Sequence, residues 1–139
     1  MNGRVFVDSN VWLYAFAIND PERMSLAQGF INKNVASGSL FVSWQIINEV
    51  GYNLLKKGVA DRVAFEMVER IRISCTVVDF SAELLSRAFE LRQNHSLSYW
   101  DSLVVSAAQE ADCEILASED MQNCKLFGRL VIRNIFKKS

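Results

Sequence analysis

Short apolar stretches punctuate this chain, and the segments between them carry helical periodicity. Val5 to Val7, Leu40 to Val42, Cys75 to Asp79, Ile115 with its neighbours, and Leu130 to Arg133 are apolar and rich in β-branched residues, as buried strands are. The periodicity predicts a first helix from Asn10 to Ala17. A second starts at Asp20-Pro21-Glu22, where proline's missing N–H does no harm, and runs to about Ala36, ending at Gly38. Ser43 is expected to cap a third helix, which carries Ile46, Ile47, Val50 and Leu54 and is closed by Lys56-Lys57-Gly58. Further helices are expected from about Ala60 to Ile71, from Ala82 to Gln93 and from Tyr99 to Ala111. Strands alternating with helices imply an α/β fold, a parallel sheet covered on both faces. In such sheets ligands bind off the carboxyl ends of the strands.

With 139 residues, half of them apolar and a single proline, the chain is expected to form one domain, residues 1–139, with a well-buried core. No apolar run approaches the ~20 residues that span a bilayer, and no export signal is recognised. Cys75, Cys113 and Cys124 are odd in number and far apart, which fits free thiols in a reduced, cytoplasmic setting.

Four acids stand where acids are costly. Asp8 stops the strand Val5-Phe6-Val7, Glu49 interrupts an apolar helix, and Asp120 follows Ile115-Leu116-Ala117. Asp101 shares a helical arc with Leu97, Val104, Val105 and Ala108, and no arginine or lysine in that helix can pair with it. Taken singly, each has an ordinary explanation. Asp8 can cap helix N–H groups, Glu49 can lie on a solvated flank, Ser98 and Asp101 match a capping box, and Asp120 can be a loop acid. Asn10 is a helix-start residue or an amide that orients a carboxylate or water. Taken together, the acids point to one edge of the sheet, where a divalent cation would offset their desolvation.

The net charge of −1 alone argues against a nucleic-acid partner. Without the four acids, 15 basic residues face 12 acidic ones, and two bound divalent cations would likewise bring the total to +3. Lys56-Lys57, Arg70, Arg72, Arg129, Arg133 and Lys137-Lys138 then offer a modest basic rim, although each also reads as a solvated face.

Four segments resemble the motifs of a known family: Val5-Phe6-Val7-Asp8-Ser9-Asn10-Val11 with Leu13-Tyr14-Ala15, Ser43 to Glu49, Tyr99 to Ala108, and Ile115 to Met121. Their order and register are similar to the PIN domain, and more narrowly to VapC-type ribonuclease toxins of toxin–antitoxin modules. The resemblance spans nearly the whole chain. It implies a three-layer fold around a five-stranded parallel sheet and a pocket of acids that binds Mg²⁺ or Mn²⁺. Asp8, Glu49, Asp101 and Asp120 would be the catalytic and metal-binding residues, with Asn10 and Ser118 in support. The last motif is the loosest. Ser118 stands where threonine is frequent, the glycine that often follows is delayed to Gly128, and the role of Asp120 is open to sharing with Glu119.

The expected reaction is hydrolysis of single-stranded RNA by metal-activated water, since metal ions lower the pKa of bound water and clamp the phosphate. A metal-free ribonuclease working through two histidines is excluded, because His95 is the only one. Two rivals remain. A phosphoacceptor domain can be built on Asp79, but it lacks the adjacent acids after the first strand and a lysine ending a late strand. The other is a PIN-like domain that binds RNA or protein without cutting. The resemblance also implies a homodimer and a cognate antitoxin that shields the acids. Trp12, Leu13, Phe16 and Trp44 are anchors for a partner if exposed, and core if not. Finally, converging carboxylates repel, so in the metal-free protein at least one should have a raised pKa.

Overall fold

A computed structural model describes residues 3–16 and 19–137. Strands β1 (Val5–Val7), β2 (Leu40–Ser43), β3 (Thr76–Val78), β4 (Ile115–Ala117), β5 (Leu126–Phe127) and β6 (Leu130–Arg133) form one sheet. Helices α1 (Ser9–Phe16), α2 (Pro21–Ala36), α3 (Trp44–Lys56), α4 (Asp61–Ser74), α5 (Ala82–His95) and α6 (Tyr99–Glu110) connect them. The expected first helix ends within the undescribed pair 17–18, so its end at Ala17 lies outside the described residues.

The strand order is β3-β2-β1-β4-β6-β5, and every pairing is parallel except β5 with β6. Among the described residues the sheet thus has six strands where five were expected. The extra one is a two-residue antiparallel edge made by a hairpin that turns through Gly128, whose φ of +63° suits glycine. Two residues are too few to leave a periodic signal.

β1 lies inside the sheet with Val5, Phe6 and Val7 all buried, which is why its sequence is apolar without alternation. From β1 the chain steps to β2 and β3 on one side, then crosses to β4 on the other. This reversal opens a crevice at the carboxyl ends of β1 and β4, the usual ligand position in such a sheet. The core also holds Leu40, Ile46, Ile71, Leu116, Phe127 and Ile132, all essentially inaccessible.

Helix starts follow local chemistry. Asp20 accepts from the Arg23 amide ahead of Pro21, and Ser81 and Ser98 cap α5 and α6 through their hydroxyls. Ser43 departs from this pattern. It occupies the position before α3, yet its hydroxyl makes no capping bond and is buried without a partner.

The expected partner anchors sort differently from one another. Trp12 and Leu13 are buried, Phe16 packs against the core, and only Trp44 is exposed. It belongs to a separate aromatic surface with Tyr52, Phe80, Tyr99 and Trp100. These residues line an open groove of about 920 Å³ between α3 and the start of α6.

Candidate active site

β1 delivers Asp8 to the crevice by running straight into α1. The Asp8 amide donates to Ala117 O at 3.0 Å, which ties the ends of β1 and β4 together. The residue is only 8% exposed. Ser118 Oγ donates to Asp8 Oδ2 at 2.8 Å, and the Ser9 amide donates to Oδ1 at 2.8 Å. The expected capping role is therefore present in part. Two donors do not compensate for burial, and the Asp8 pKa is raised, first by desolvation and further by Asp101 and Asp120.

Glu49 projects from α3, which follows the neighbouring strand β2. Its Oε1 is buried and has no hydrogen-bond partner. Desolvation, followed by the charges of Asp8 and Asp101, raises its pKa to about 7. An unsatisfied buried carboxylate oxygen is rare in a folded protein and calls for a missing cation or proton. Glu49 is thus half-buried, one oxygen enclosed and the residue also lining a groove, rather than on a fully solvated flank.

Asp101 sits in the first turn of α6, where its amide donates to Ser98 Oγ at 3.1 Å. The cap thus fixes the backbone and leaves the half-buried carboxylate without a hydrogen bond or ion pair among the described residues. α6 is buried continuously from Ser102 to Ala108, and Ser106 Oγ donates to Leu84 O of α5 at 2.7 Å.

Asp120 is exposed at the rim, where Asn10 Nδ2 donates to its Oδ2. Its pKa is raised by desolvation, then by Glu119 and Asp101. Glu119 points elsewhere. Tyr14 Oη donates to its Oε1 at 2.9 Å, and Arg23 donates to its Oε2 through Nε at 2.9 Å and Nη2 at 2.7 Å. The Arg23 guanidinium also lies over the rings of Tyr14 and Phe136. With both oxygens of Glu119 engaged by cation and phenol, Asp120 is the acid of the pair that faces Asn10 and couples to Asp101.

The four acids therefore influence one another electrostatically around Asp8, with Asn10 and Ser118 bonded to two of them. They are not drawn into a tight cage. Among the described residues, no three acid, thiol or imidazole groups stand close enough together to form a ready-made metal site. That arrangement still suits a magnesium-like ion, which takes one or two carboxylates and keeps several waters. The hard oxygen donors, the orphaned Glu49 oxygen and the raised pKa values all fit a divalent cation.

Sequence reasoning missed Arg23, Lys125 and His95. The half-buried Lys125 and His95 line a cleft with Asp101 and Asp120, and nothing in their spacing reports it. The expected basic rim is less available. Arg72 is paired with Glu69, Arg129 faces Asp112, and Lys138 lies outside the described residues.

Comparison with known proteins agrees with this fold. The chain is similar to a toxin of Mycobacterium tuberculosis, VapC20, described as cleaving the sarcin–ricin loop. Identity is 20%, the TM-score is 0.66, and the match covers 84% of this chain and 89% of that one. It is also similar to VapBC2 of Rickettsia felis bound to a promoter DNA fragment, at 16% identity, a TM-score of 0.71, and 94% and 97% coverage. A toxin–antitoxin complex from Klebsiella pneumoniae matches at 17% identity, a TM-score of 0.64, and 91% and 95% coverage. At these identities the likeness establishes a shared fold. No curated protein matches the chain significantly. The family model of the PIN domain matches residues 5–126, most of the chain's length, and the chain belongs to the PIN domain family.

Proposed function

We propose that the chain is a divalent-metal-dependent endoribonuclease, the toxin of a toxin–antitoxin module, acting as one domain over residues 1–139. The observation that carries this reading is the buried, unpartnered Oε1 of Glu49 beside Asp8 and Asp101. Family membership and the toxin fold support it.

Asp8 and Asp101 are assigned as direct ligands of Mg²⁺ or Mn²⁺, with Glu49 and Asp120 binding directly or through water. When bound, such an ion makes water nucleophilic at neutral pH and neutralises charge on a phosphodiester. The chain's own residues prepare the place. Ser118 and the Ser9 amide fix the Asp8 carboxylate, and Asn10 holds Asp120. The helical cap at Ser98 sets the position of Asp101. The carboxylate of Glu49 exchanges its proton near neutral pH, so its state responds to a neighbouring cation.

Asp8→Asn and Asp101→Asn should each lower cleavage of single-stranded RNA in Mg²⁺ or Mn²⁺ by at least a hundredfold while the fold persists by circular dichroism. Cleavage that survives both changes would sink the site. Wild-type protein that binds RNA tightly yet never cuts it would favour the alternative, a non-catalytic PIN-like binding domain.

The partners proposed are an antitoxin and a second copy of the chain, in the cytoplasm. The antitoxin is assigned to the aromatic groove, because Glu49 lines that groove as well as the acid site. A chain seated there would cover Glu49. Tyr52→Lys should weaken the complex with the adjacent reading frame's product, measured by calorimetry. Light scattering of the purified chain tests the dimer.

A further inference from the structure

A second cleft of about 250 Å³ shares the Asp101 and Asp120 walls of the acid site but has a different chemical character. Its other walls include Lys125, His95, Ser96, Ser98 and Gln122. The lysine is the unusual member. It is half-buried, and among the described residues its ammonium makes no ion pair or hydrogen bond. An ammonium that meets only an aromatic face keeps its donors free for an anion. What holds it is local. The Lys125 amide donates to Gln122 O at 3.2 Å, Ile132 N donates to Lys125 O at 2.9 Å, and Nζ lies 5.2 Å from the centre of the Phe127 ring. The His95 ring packs edge-on against the same Phe127, 4.8 Å between centroids. Phe127 is buried, so both nitrogen-bearing groups stand on a rigid base.

No salt bridge joins Lys125 to Asp101 or Asp120, although all three line the cleft. An ammonium, an imidazole, two serines and an amide beside a carboxylate site form a donor set for a second anion. The aromatic groove that Glu49 lines offers no cation in its lining.

We infer that Lys125 and His95, with the hydroxyls of Ser96 and Ser98, form a subsite for a phosphodiester flanking the scissile one on a single-stranded RNA. This inference rests on the nuclease reading for the identity of the strand, but binding can be measured without cleavage. One strand then lies across Asp101 and Asp120, its reacting phosphate at the acids and a neighbour at Lys125. The contact is to the backbone, so it carries no base preference.

The test uses the full chain and a fluorescent single-stranded RNA oligonucleotide in chelator, with affinity followed against salt. Lys125→Ala should weaken binding about three- to tenfold for every sequence tried. It should also lower the slope of log affinity against log salt by about 0.7, the value for one phosphate contact on a single strand. Lys125→Arg should restore both, and His95→Gln should weaken binding less than Lys125→Ala does. With Mn²⁺ present, a neutral methylphosphonate beside the cleaved linkage should raise KM in the wild type and have little further effect in Lys125→Ala, while kcat stays within a few fold. Unchanged affinity and slope in a folded Lys125→Ala protein would overturn the subsite, even if cleavage is robust. A lost slope without any cleavage would leave the subsite standing and remove the nuclease reading instead. If Lys125→Ala weakens only the complex with a protein partner, the lysine belongs to that interface and the inference is wrong.

Discussion

At the scale of single residues, the acids are placed to be unstable when ionised and metal-free. Glu49 shows the sign of this most directly. Its folded-state pKa is raised from 4.5 to about 7, so the folded protein binds a proton that the unfolded chain has released. The associated stability is fully present below pH ~4.5 and is lost as pH rises through about 7. Because Glu49 is partly solvated, the loss is expected to be only about 1–2 kcal/mol rather than the full product of shift and 1.36 kcal/mol per unit. Urea denaturation in chelator should therefore give a midpoint that falls between pH 5 and 7. In Glu49→Gln that fall should be smaller, and the variant should be the more stable protein at pH 8. A residual slope is expected, since Asp8 and Asp120 are shifted in the same direction. Equal pH slopes in the two proteins would mean that Glu49 is free in solvent.

At the scale of elements, most helices and strands were legible because their signals are local. A proline after Asp20, serines before α5 and α6, and unbroken apolar runs in β1 and β4 all act within a few residues. The candidate site was legible in outline for the same reason, since acids that interrupt apolar elements stand out. What the sequence hides is long-range pairing. Asn10 meets Asp120, and Arg23 meets Glu119, across about a hundred residues of chain. No periodicity encodes that meeting. The sequence therefore leaves Glu119 and Asp120 as alternatives, whereas in the structure both oxygens of Glu119 are engaged by Tyr14 and Arg23. This clamp joins the start of α2 and the end of α1 to the loop after β4, and it turns Asp120 toward the crevice. Arg23→Ala should accordingly weaken Mn²⁺ binding about tenfold by calorimetry, as loss of an outer partner of a metal site does. Arg23→Lys should recover only part of it, because an ammonium lacks the guanidinium fork that bonds through two nitrogens. Mn²⁺ affinity unaffected by Arg23→Ala would show that Asp120 needs no such support.

At the scale of the whole molecule, the same charges link folding to metal. The crevice lies at the carboxyl ends of β1 and β4, so a cation there would bridge side chains from the end of β1, α3 and α6 at once. A ligand that binds only the folded state stabilises it by about 2.7 kcal/mol at a hundredfold excess over its Kd. For a chain of this size that corresponds to a rise in Tm of roughly 5–10 °C. Millimolar Mn²⁺ or Mg²⁺ should thus raise the melting temperature above that in chelator. The response should grow from pH 5.5 to 8, because ligand carboxylates must lose their protons before they coordinate. Asp101→Asn should respond less to metal, and in chelator it should melt as high as the wild type or higher, since one of the repelling charges near Asp8 and Glu49 is gone. These two effects of one substitution have opposite signs, which a merely damaged fold cannot produce. A wild-type melting temperature indifferent to metal at pH 8 would instead mean that the acids share no cation, and the nuclease reading would fall with that result.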